Sequence, residues 1–210
     1  MQDYLLNAFA TLFVTIDPIG LAPMFLALTV GQTNKARRAT AVKATTTALI
    51  ILLAFAFAGG MLLKLLGISV SAFRIAGGLL LFWIAFEMVF ERRHQRKSQT
   101  AEKAAAEPEP HDVSIFPLAI PLIGGPGAIS AVILLSAHAP DRLAYAGLIG
   151  IIIGILVSCL AVFLIADRID KYLGGTARLV LTRLLGVILA ALAVQFVADG
   201  VTSLVTGAAG

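Results

Sequence analysis

The sequence predicts an all-α membrane protein, and three observations support this fold class. Of the 210 residues, 59% are hydrophobic and 13% are charged, whereas soluble domains average roughly 45–50% and about 25%. Six apolar segments each reach the roughly 20 residues that a helix needs to cross a bilayer. Two of these segments are interrupted near their middle by a proline set among glycines or beside an acid. We therefore predict one membrane domain, residues 1–210, with six transmembrane helices, the first and fourth broken at mid-membrane.

The six predicted spans follow one another with mostly short connections. They cover residues 4–29, 44–66, 70–90, 114–137, 141–166 and 179–206. The first span carries Asp3 where a signal peptide carries basic residues, and it is longer than a signal core, so we expect a retained helix. The connection at 91–113 mixes both charges with alanine and proline. That composition predicts a flexible, solvated cytoplasmic linker between two halves, 1–90 and 114–210.

The basic residues are unevenly distributed between the two sides of the predicted membrane. Of the 16 lysines and arginines, 12 lie in or beside the first, third and fifth connections. The positive-inside rule places these connections in the cytoplasm and both termini outside it. The net charge of +4 is thereby explained by orientation and requires no nucleic-acid partner. We expect a multi-pass membrane protein in contact with the lipid bilayer.

Matching positions in the two halves indicate an internal repeat. Arg74 follows Pro18 by 56 positions, and Arg183 follows Pro126 by 57. Each arginine opens a similar pattern, Arg74-Ile-Ala-Gly77 and Arg183-Leu-Leu-Gly186. Three helices per copy is an odd number, so the second copy crosses the membrane in the opposite direction. Such inverted repeats are common in secondary transporters, where the substrate site lies between the two repeats.

The second break, within Gly124-Gly125-Pro126-Gly127-Ala128, predicts a helix start at mid-membrane. Proline suits the first position of a helix, so Gly125 is the expected cap and Pro126 the first helical residue. The following amides, from Gly127 to Ile129, are then free to bind a carboxylate, because a helix start carries partial positive charge. The alternative is a proline kink that serves only packing.

The first break joins an acid to a proline. Asp17 is expected to cap a helix that starts at Pro18, and Gly20 follows two residues later. An acid at mid-bilayer costs roughly 2.5–3.5 kcal/mol on insertion scales, and serine or asparagine would cap without that cost. We therefore expect Asp17 to pair with a substrate ammonium or to carry a coupling proton. The alternative is that Asp17 is a cap and nothing more.

Five further polar residues lie in or near the third and sixth spans and are candidates for gating or ion pairing. They are Arg74, Arg183, Glu87, Gln195 and Asp199. Each arginine either extends to the membrane interface or tethers carbonyls or a carboxylate of the opposite half. Gln195 lies deeper, where a hydrogen bond to another helix is expected.

Four sequence runs occur in a fixed order along the chain. They are Phe13-Val-Thr-Ile-Asp17-Pro18-Ile-Gly20, Arg74-Ile-Ala-Gly-Gly78, Ala119-Ile-Pro121-Leu-Ile-Gly124-Gly125-Pro126-Gly127-Ala128 and Ala193-Val-Gln195-Phe-Val-Ala-Asp199-Gly200. Together they resemble the MarC/SnatA family of bacterial and archaeal inner-membrane proteins, which is similar to the wider group of exporters that includes LysE. Characterised members are linked to small neutral amino acids such as glycine and alanine, with proton coupling. Only the central linker departs from the family pattern.

The combined expectation is a secondary transporter of small neutral amino acids, with proton coupling and with the substrate bound between the two broken helices. The carboxylate is expected at Gly125–Gly127 and the ammonium near Asp17. One alternative is an exporter of other small polar metabolites or drugs, and another is a channel or a non-transporting regulatory membrane protein. The sequence has no phosphate-binding loop and no metal-ligand pattern. We expect neither enzymatic activity nor a cofactor or metal, and the oligomeric state is left open.

Overall fold

The computed structural model describes residues 1–106, 112–168 and 175–206, and the regular secondary structure within these ranges is helical. The helices in order are α1 (Gln2–Ile16), α2 (Ala22–Leu28), α3 (Asn34–Leu65), α4 (Val70–Val89), α5 (Arg92–Ala106), α6 (Ser114–Ile123), α7 (Pro126–Ala137), α8 (Arg142–Leu164) and α9 (Gly175–Val205). The predicted all-α class is confirmed.

Four helices are long and apolar enough to cross a membrane, namely α3, α4, α8 and the Leu179–Val205 part of α9. The pair α6 and α7, bent by 57° at its junction, is a fifth candidate span. The predicted span 4–29 corresponds to α1 and α2, which have 15 and 7 residues. Alone, α1 extends ~22 Å at ~1.5 Å per residue, less than a hydrocarbon core of roughly 30 Å. The structure thus has four to five candidate spans.

The outer surface of these helices is rich in large apolar side chains. Exposed examples from four helices are Ile50, Phe57, Met61, Leu79, Trp83, Val157, Val187 and Val194. A soluble monomer rarely leaves so many large apolar groups in contact with water. A bilayer accepts them without cost, so this surface agrees with an integral membrane protein.

Two helix starts show how polar side chains set the ends of the spans. The Ser69 hydroxyl accepts from the Ala72 amide at 3.1 Å and starts α4 at Val70, as the sequence predicts. The Thr33 hydroxyl accepts from the Ala36 amide at 3.3 Å, so α3 starts at Asn34 instead of near residue 44. The additional turns are polar, and a reading based on hydropathy does not include them.

The predicted flexible linker is largely helical, which corrects the expectation for residues 91–113. Helix α5 occupies Arg92–Ala106 and packs against α2, α4 and α6. Arg93 and Ala101 are buried, at 6% and 0% exposure. The part of the linker from 107 to 111 lies outside the described residues. Helix α5 is too polar to count as a candidate span, and it covers part of the bundle through these contacts.

Glycines bring α4 and α9 into close contact along their length. A Cβ at Gly78 would lie 2.8 Å from Val197 Cγ2 and 2.9 Å from the Ala193 carbonyl oxygen. A Cβ at Gly186 would lie 2.9 Å from Met88 Cβ. Small residues let helix backbones approach closely, and this packing contributes to helix association in membranes. The third helices of the two predicted repeats are therefore packed directly on each other.

Candidate binding cavity at the two helix breaks

The first break is a tight turn built around Asp17. Helix α1 ends at Ile16, and Asp17 takes left-handed backbone angles, φ 58° and ψ 66°, a region that aspartate and asparagine tolerate better than most residues. Its Oδ1 accepts from the Gly20 amide at 3.1 Å. A Cβ at Gly20 would lie 2.1 Å from Asp17 Oδ2. Glycine at position 20 therefore allows the carboxylate to fold back onto the turn.

The expectation that a helix starts at Pro18 is wrong. Residues 18–21 form a turn, and α2 starts at Ala22. The Leu21 amide donates to the Asp17 carbonyl at 3.2 Å, so Asp17 supports one isolated helical turn. The reason is the left-handed angle at Asp17, which redirects the chain and makes this residue the C-terminal cap of α1 as well.

The second break has the predicted helix start. Gly125 is the cap of α7, and Pro126 occupies its first turn without a side-chain cap. Ile129 donates its amide to the Gly125 carbonyl at 3.1 Å, so the prediction of three available amides is wrong for Ile129. Gly127 and Ala128 precede this first intrahelical bond. Their amides are the two that a ligand at the helix start can reach.

The glycine requirement at position 125 comes from crowding and not from its backbone angles. Gly125 has φ −73° and ψ 171°, which other residues adopt freely. A Cβ there would lie 2.5 Å from the Pro121 carbonyl oxygen. That carbonyl belongs to α6, which is irregular at two points, Phe116 and Ile120, where the backbone is extended, as residues before proline prefer.

The two breaks meet at a cavity of about 290 Å³. A Cβ at Gly127 would lie 3.2 Å from Thr15 Cγ2 and 2.2 Å from Ile84 Cδ1, so the start of α7 is packed against the end of α1. The Thr15 hydroxyl is buried and has no hydrogen-bond partner among the described residues. The cavity is lined by Thr15, Ile84, Arg93, Arg96, Lys97, Thr100, Pro121, Leu122, Ile123, Gly125, Pro126, Gly127 and Ala128.

The predicted binding residues divide between the lining of the cavity and its support. Residues 125–128 line it, whereas Asp17, Pro18, Gly20 and Gly124 do not. The Gly124 amide donates to the Ala119 carbonyl at 2.8 Å and so holds the irregular backbone behind the cavity. From the first break, Thr15 is the residue that reaches the cavity.

The sequence reasoning missed the cations that α5 brings to this site. Arg93 donates to the carbonyls of Val14, at 3.3 Å, and Thr15, and Lys97 Nζ lies 3.5 Å from the carbonyl oxygen of Ile16. The last carbonyls of a helix carry partial negative charge and lack intrahelical donors. Two basic side chains therefore supply the donors that the broken end of α1 needs.

A helical spacing in the linker would have indicated this buried face. Arg93, Lys97 and Ala101 recur every four residues and so share one side of a helix. The mixed charges of the linker concealed this period, because Arg92, Gln95 and other polar residues lie on the exposed face.

Glu87 also contacts α5, through an ion pair. Its side chain is buried, and Oε2 lies 2.9 Å from Arg96, an ion pair that does not meet hydrogen-bond geometry. Arg96 itself is exposed and lines the cavity. Glu87 thereby ties the end of α4 to the helix that covers the site.

The two arginines among the gating candidates each form an ion pair. Arg74 lies 4.0 Å from Asp199, and Arg183 pairs with Glu91. The first pair joins the two predicted halves, and the second joins the second half to Glu91 at the start of the linker. The expectation of a cross-helix bond for Gln195 is wrong, because its amide donates to Asp199 on the same helix at 2.7 Å.

Comparison with known proteins assigns the chain to a family. The model of the MarC family integral membrane protein matches residues 2–205. The chain is similar to the UPF0056 membrane protein YvbG of Bacillus subtilis, at 35% identity over 89% of this chain and 88% of the relative.

Two further relatives, from other organisms, show similar coverage. The UPF0056 membrane protein MJ1677 of Methanocaldococcus jannaschii is 37% identical over 88% of this chain and 89% of the relative. The UPF0056 membrane protein YhcE of Escherichia coli is 34% identical over 85% and 82%. No solved structure matches the chain. The chain therefore belongs to the MarC family (UPF0056) of integral membrane proteins, which has members in bacteria and archaea.

Proposed function

We propose that this protein is a secondary transporter of small neutral amino acids with proton coupling, and that the cavity between the two broken helices holds the substrate. The carrying observation is that the end of α1 and the start of α7, far apart in sequence, line one cavity, with Thr15 and the α7 helix start on its wall. Broken helices at mid-membrane are tolerated where they line a cavity or are buried in protein. The amino-acid class itself comes from the family resemblance.

The proposed architecture is six spans arranged as two inverted repeats. In this arrangement α1 and α2 together form the first span, and α6 and α7 form the fourth. Helix contacts support the repeat, since α1 packs on α8 and α9 while α7 packs on α3 and α4. The pairs α3–α8 and α4–α9 join equivalent helices. When each broken span is taken as one unit, exchanging the two halves leaves this pattern unchanged, as a two-fold axis between repeats requires. Both termini are then external.

The proposed substrate pose follows from the cavity lining. The carboxylate binds at the amides of Gly127 and Ala128, where the partial positive charge of the helix start favours an anion. The Thr15 hydroxyl has both donor and acceptor capacity and accepts from the ammonium. Asp17 supplies negative charge one turn away and acts on Arg93 and Lys97. A volume of about 290 Å³ is at the small end of ligand pockets, which span roughly 300–1,000 Å³, and this favours small substrates.

Transport in proteoliposomes tests the proposal directly. Purified protein should accumulate labelled glycine or alanine, and a pH gradient should change the initial rate. Glycinamide, which keeps the ammonium and loses the carboxylate charge, should compete far less well than glycine. Binding without transport would indicate a regulatory protein, and flux that no gradient drives would indicate a channel. If neither amino acid bound, the proposal would be wrong.

A pair of glycine variants tests the location of the site. Gly125→Ala should weaken glycine binding by about tenfold or more, because relief of the 2.5 Å contact with the Pro121 carbonyl displaces the α7 start, and overpacking of this kind costs about 1–3 kcal/mol. Gly154→Ala is the control, since a Cβ there meets nothing within 4 Å. Equal affinity of the two variants would exclude the helix start as the carboxylate site.

A further inference from the structure

The three cationic side chains that line the cavity differ in how many contacts they make with the rest of the protein. Arg93 donates to two α1 carbonyls and contacts the Met88 sulfur at 3.0 Å. Arg96 is paired with Glu87 at 2.9 Å. Lys97 has one long contact, 3.5 Å to the Ile16 carbonyl, and within the described part of the chain it forms no salt bridge. A lysine ammonium has three donors, so Lys97 has donor capacity that faces the cavity.

We propose that Lys97 binds a proton when a substrate carboxylate enters the cavity and releases it when the carboxylate leaves. This inference rests on the proposed function and identifies the group through which substrate binding and proton binding are linked. The proton comes from water on the side to which the cavity opens and adds to the neutral amine of Lys97. The substrate carboxylate stays ionised, and no bond in the substrate is broken.

The ionisable groups around Lys97 come from few elements. On α5 itself they are Arg93 and Arg96, and Glu87 of α4 is engaged with Arg96. Asp17 acts on Lys97 from the end of α1, and Cys159 acts from α8. The other helices that pack on α5 are α2 and α6, and their sequences contain no ionisable side chain. Lys97 is therefore the amine of this cluster whose charge can change without breaking an ion pair.

These surroundings favour the neutral amine in the empty cavity. Burial and, to a smaller extent, the charge of Arg93 lower the pKa of Lys97 to about 7, and Asp17 partly opposes them. A carboxylate at the α7 start would add a negative charge facing Lys97, which favours the ammonium. Lys97 therefore gains a proton as the substrate binds near neutral pH.

This linkage predicts a characteristic dependence of affinity on pH. If the protonated form binds the carboxylate, the apparent Kd equals the intrinsic Kd divided by the protonated fraction. With a pKa of about 7, affinity should fall about tenfold between pH 6 and pH 8. At pH 7 to 8, each binding event should also remove a fraction of a proton from the solvent. The number of protons taken up per bound substrate should approach one as the pH rises.

The test measures glycine binding to the purified full-length protein from pH 6 to pH 8, and proton uptake with an indicator dye in weakly buffered solution. The wild type should show both the affinity change and the uptake. Lys97→Arg, whose guanidinium stays charged, should bind with little pH dependence and take up no proton. Lys97→Met should bind at least tenfold more weakly at pH 6. Lys43→Arg should match the wild type, since Lys43 is exposed and paired with Asp112 outside the cavity.

The outcomes separate this inference from the proposed function. If the wild type binds glycine but Lys97→Arg keeps the wild-type pH dependence and proton uptake, the inference is wrong while the transporter proposal stands. If the wild type binds no amino acid at all, the proposed function fails first. Thermal unfolding of each variant in the absence of ligand identifies any that has lost its fold, and Lys97→Arg keeps the test decisive if Lys97→Met does not fold.

Discussion

The unpartnered hydroxyl of Thr15 offers a test in which stability and binding change in opposite directions. Thr15 is 3% exposed, and within the part of the chain that the structure describes its Oγ1 has no hydrogen-bond partner. Valine has the same shape and lacks the hydroxyl, and both residues are β-branched, so Thr15→Val preserves the packing against Gly127. A buried polar group without a partner costs about 1–3 kcal/mol, and this substitution removes that cost.

The expected changes in stability and in glycine affinity follow from the number of hydrogen bonds that Thr15 makes without and with substrate. Stability without ligand should rise by about 1 kcal/mol or more, or roughly 2–4 °C in Tm for a protein of this size. Glycine affinity should fall about 2- to 13-fold, because the substrate loses one hydrogen bond worth about 0.5–1.5 kcal/mol. The assays are thermal unfolding in detergent without ligand and equilibrium binding of labelled glycine.

A neighbouring threonine provides the matched control. Thr11 is also fully buried on α1, but its hydroxyl donates to Asn7 Oδ1 at 3.0 Å. Thr11→Val should lower Tm, because it leaves the asparagine oxygen without its donor, and it should leave affinity nearly unchanged. If Thr15→Val were destabilised to the same extent as Thr11→Val and bound glycine like the wild type, Thr15 would have a structural partner and no role in the cavity.

Three further predictions follow from the packing, the first break and the charge distribution. Gly78→Ala should destabilise the α4–α9 pair by about 1–3 kcal/mol. Its control, Gly60→Ala, has nothing within 4 Å of the added Cβ and should be neutral or stabilising by up to about 1 kcal/mol. Equal Tm values for the two variants would contradict the close contact. Asp17→Asn should keep the fold, since asparagine retains the acceptor for the turn. It should move the pH dependence of glycine binding to lower pH, because loss of this carboxylate lowers the pKa of Lys97 further. An unchanged pH profile would show that Asp17 does not affect proton binding by Lys97. Cysteines at Lys35 and Lys64, in a cysteine-free background, should be labelled from the cytoplasmic and external sides respectively, and labelling of both from one side would refute the proposed orientation.

The sequence determined the features that depend on local chemistry. Hydropathy placed the starts of α4 and α8 within a residue, because a span needs a continuous apolar stretch. The glycines and proline at 124–126 placed the break before α7, because proline favours the first turn and excludes the interior of a helix. The repeated arginine pattern also identified two residues that form ion pairs, one of them between the two halves.

Only the tertiary structure decided how the first break is built and what surrounds the cavity. The left-handed angle at Asp17 depends on the fit between its carboxylate and Gly20, and this fit turned a predicted helix start into a turn. The order of residues 92–106 likewise depends on distant partners. From the sequence, Arg93 and Lys97 are expected to be exposed to solvent. They become part of the site because the broken end of α1 has carbonyls that need hydrogen-bond donors. Hydropathy accounts for the cost of burying a charge and not for the hydrogen bonds that offset it. The cationic residues of the cavity could therefore be identified only from the tertiary structure.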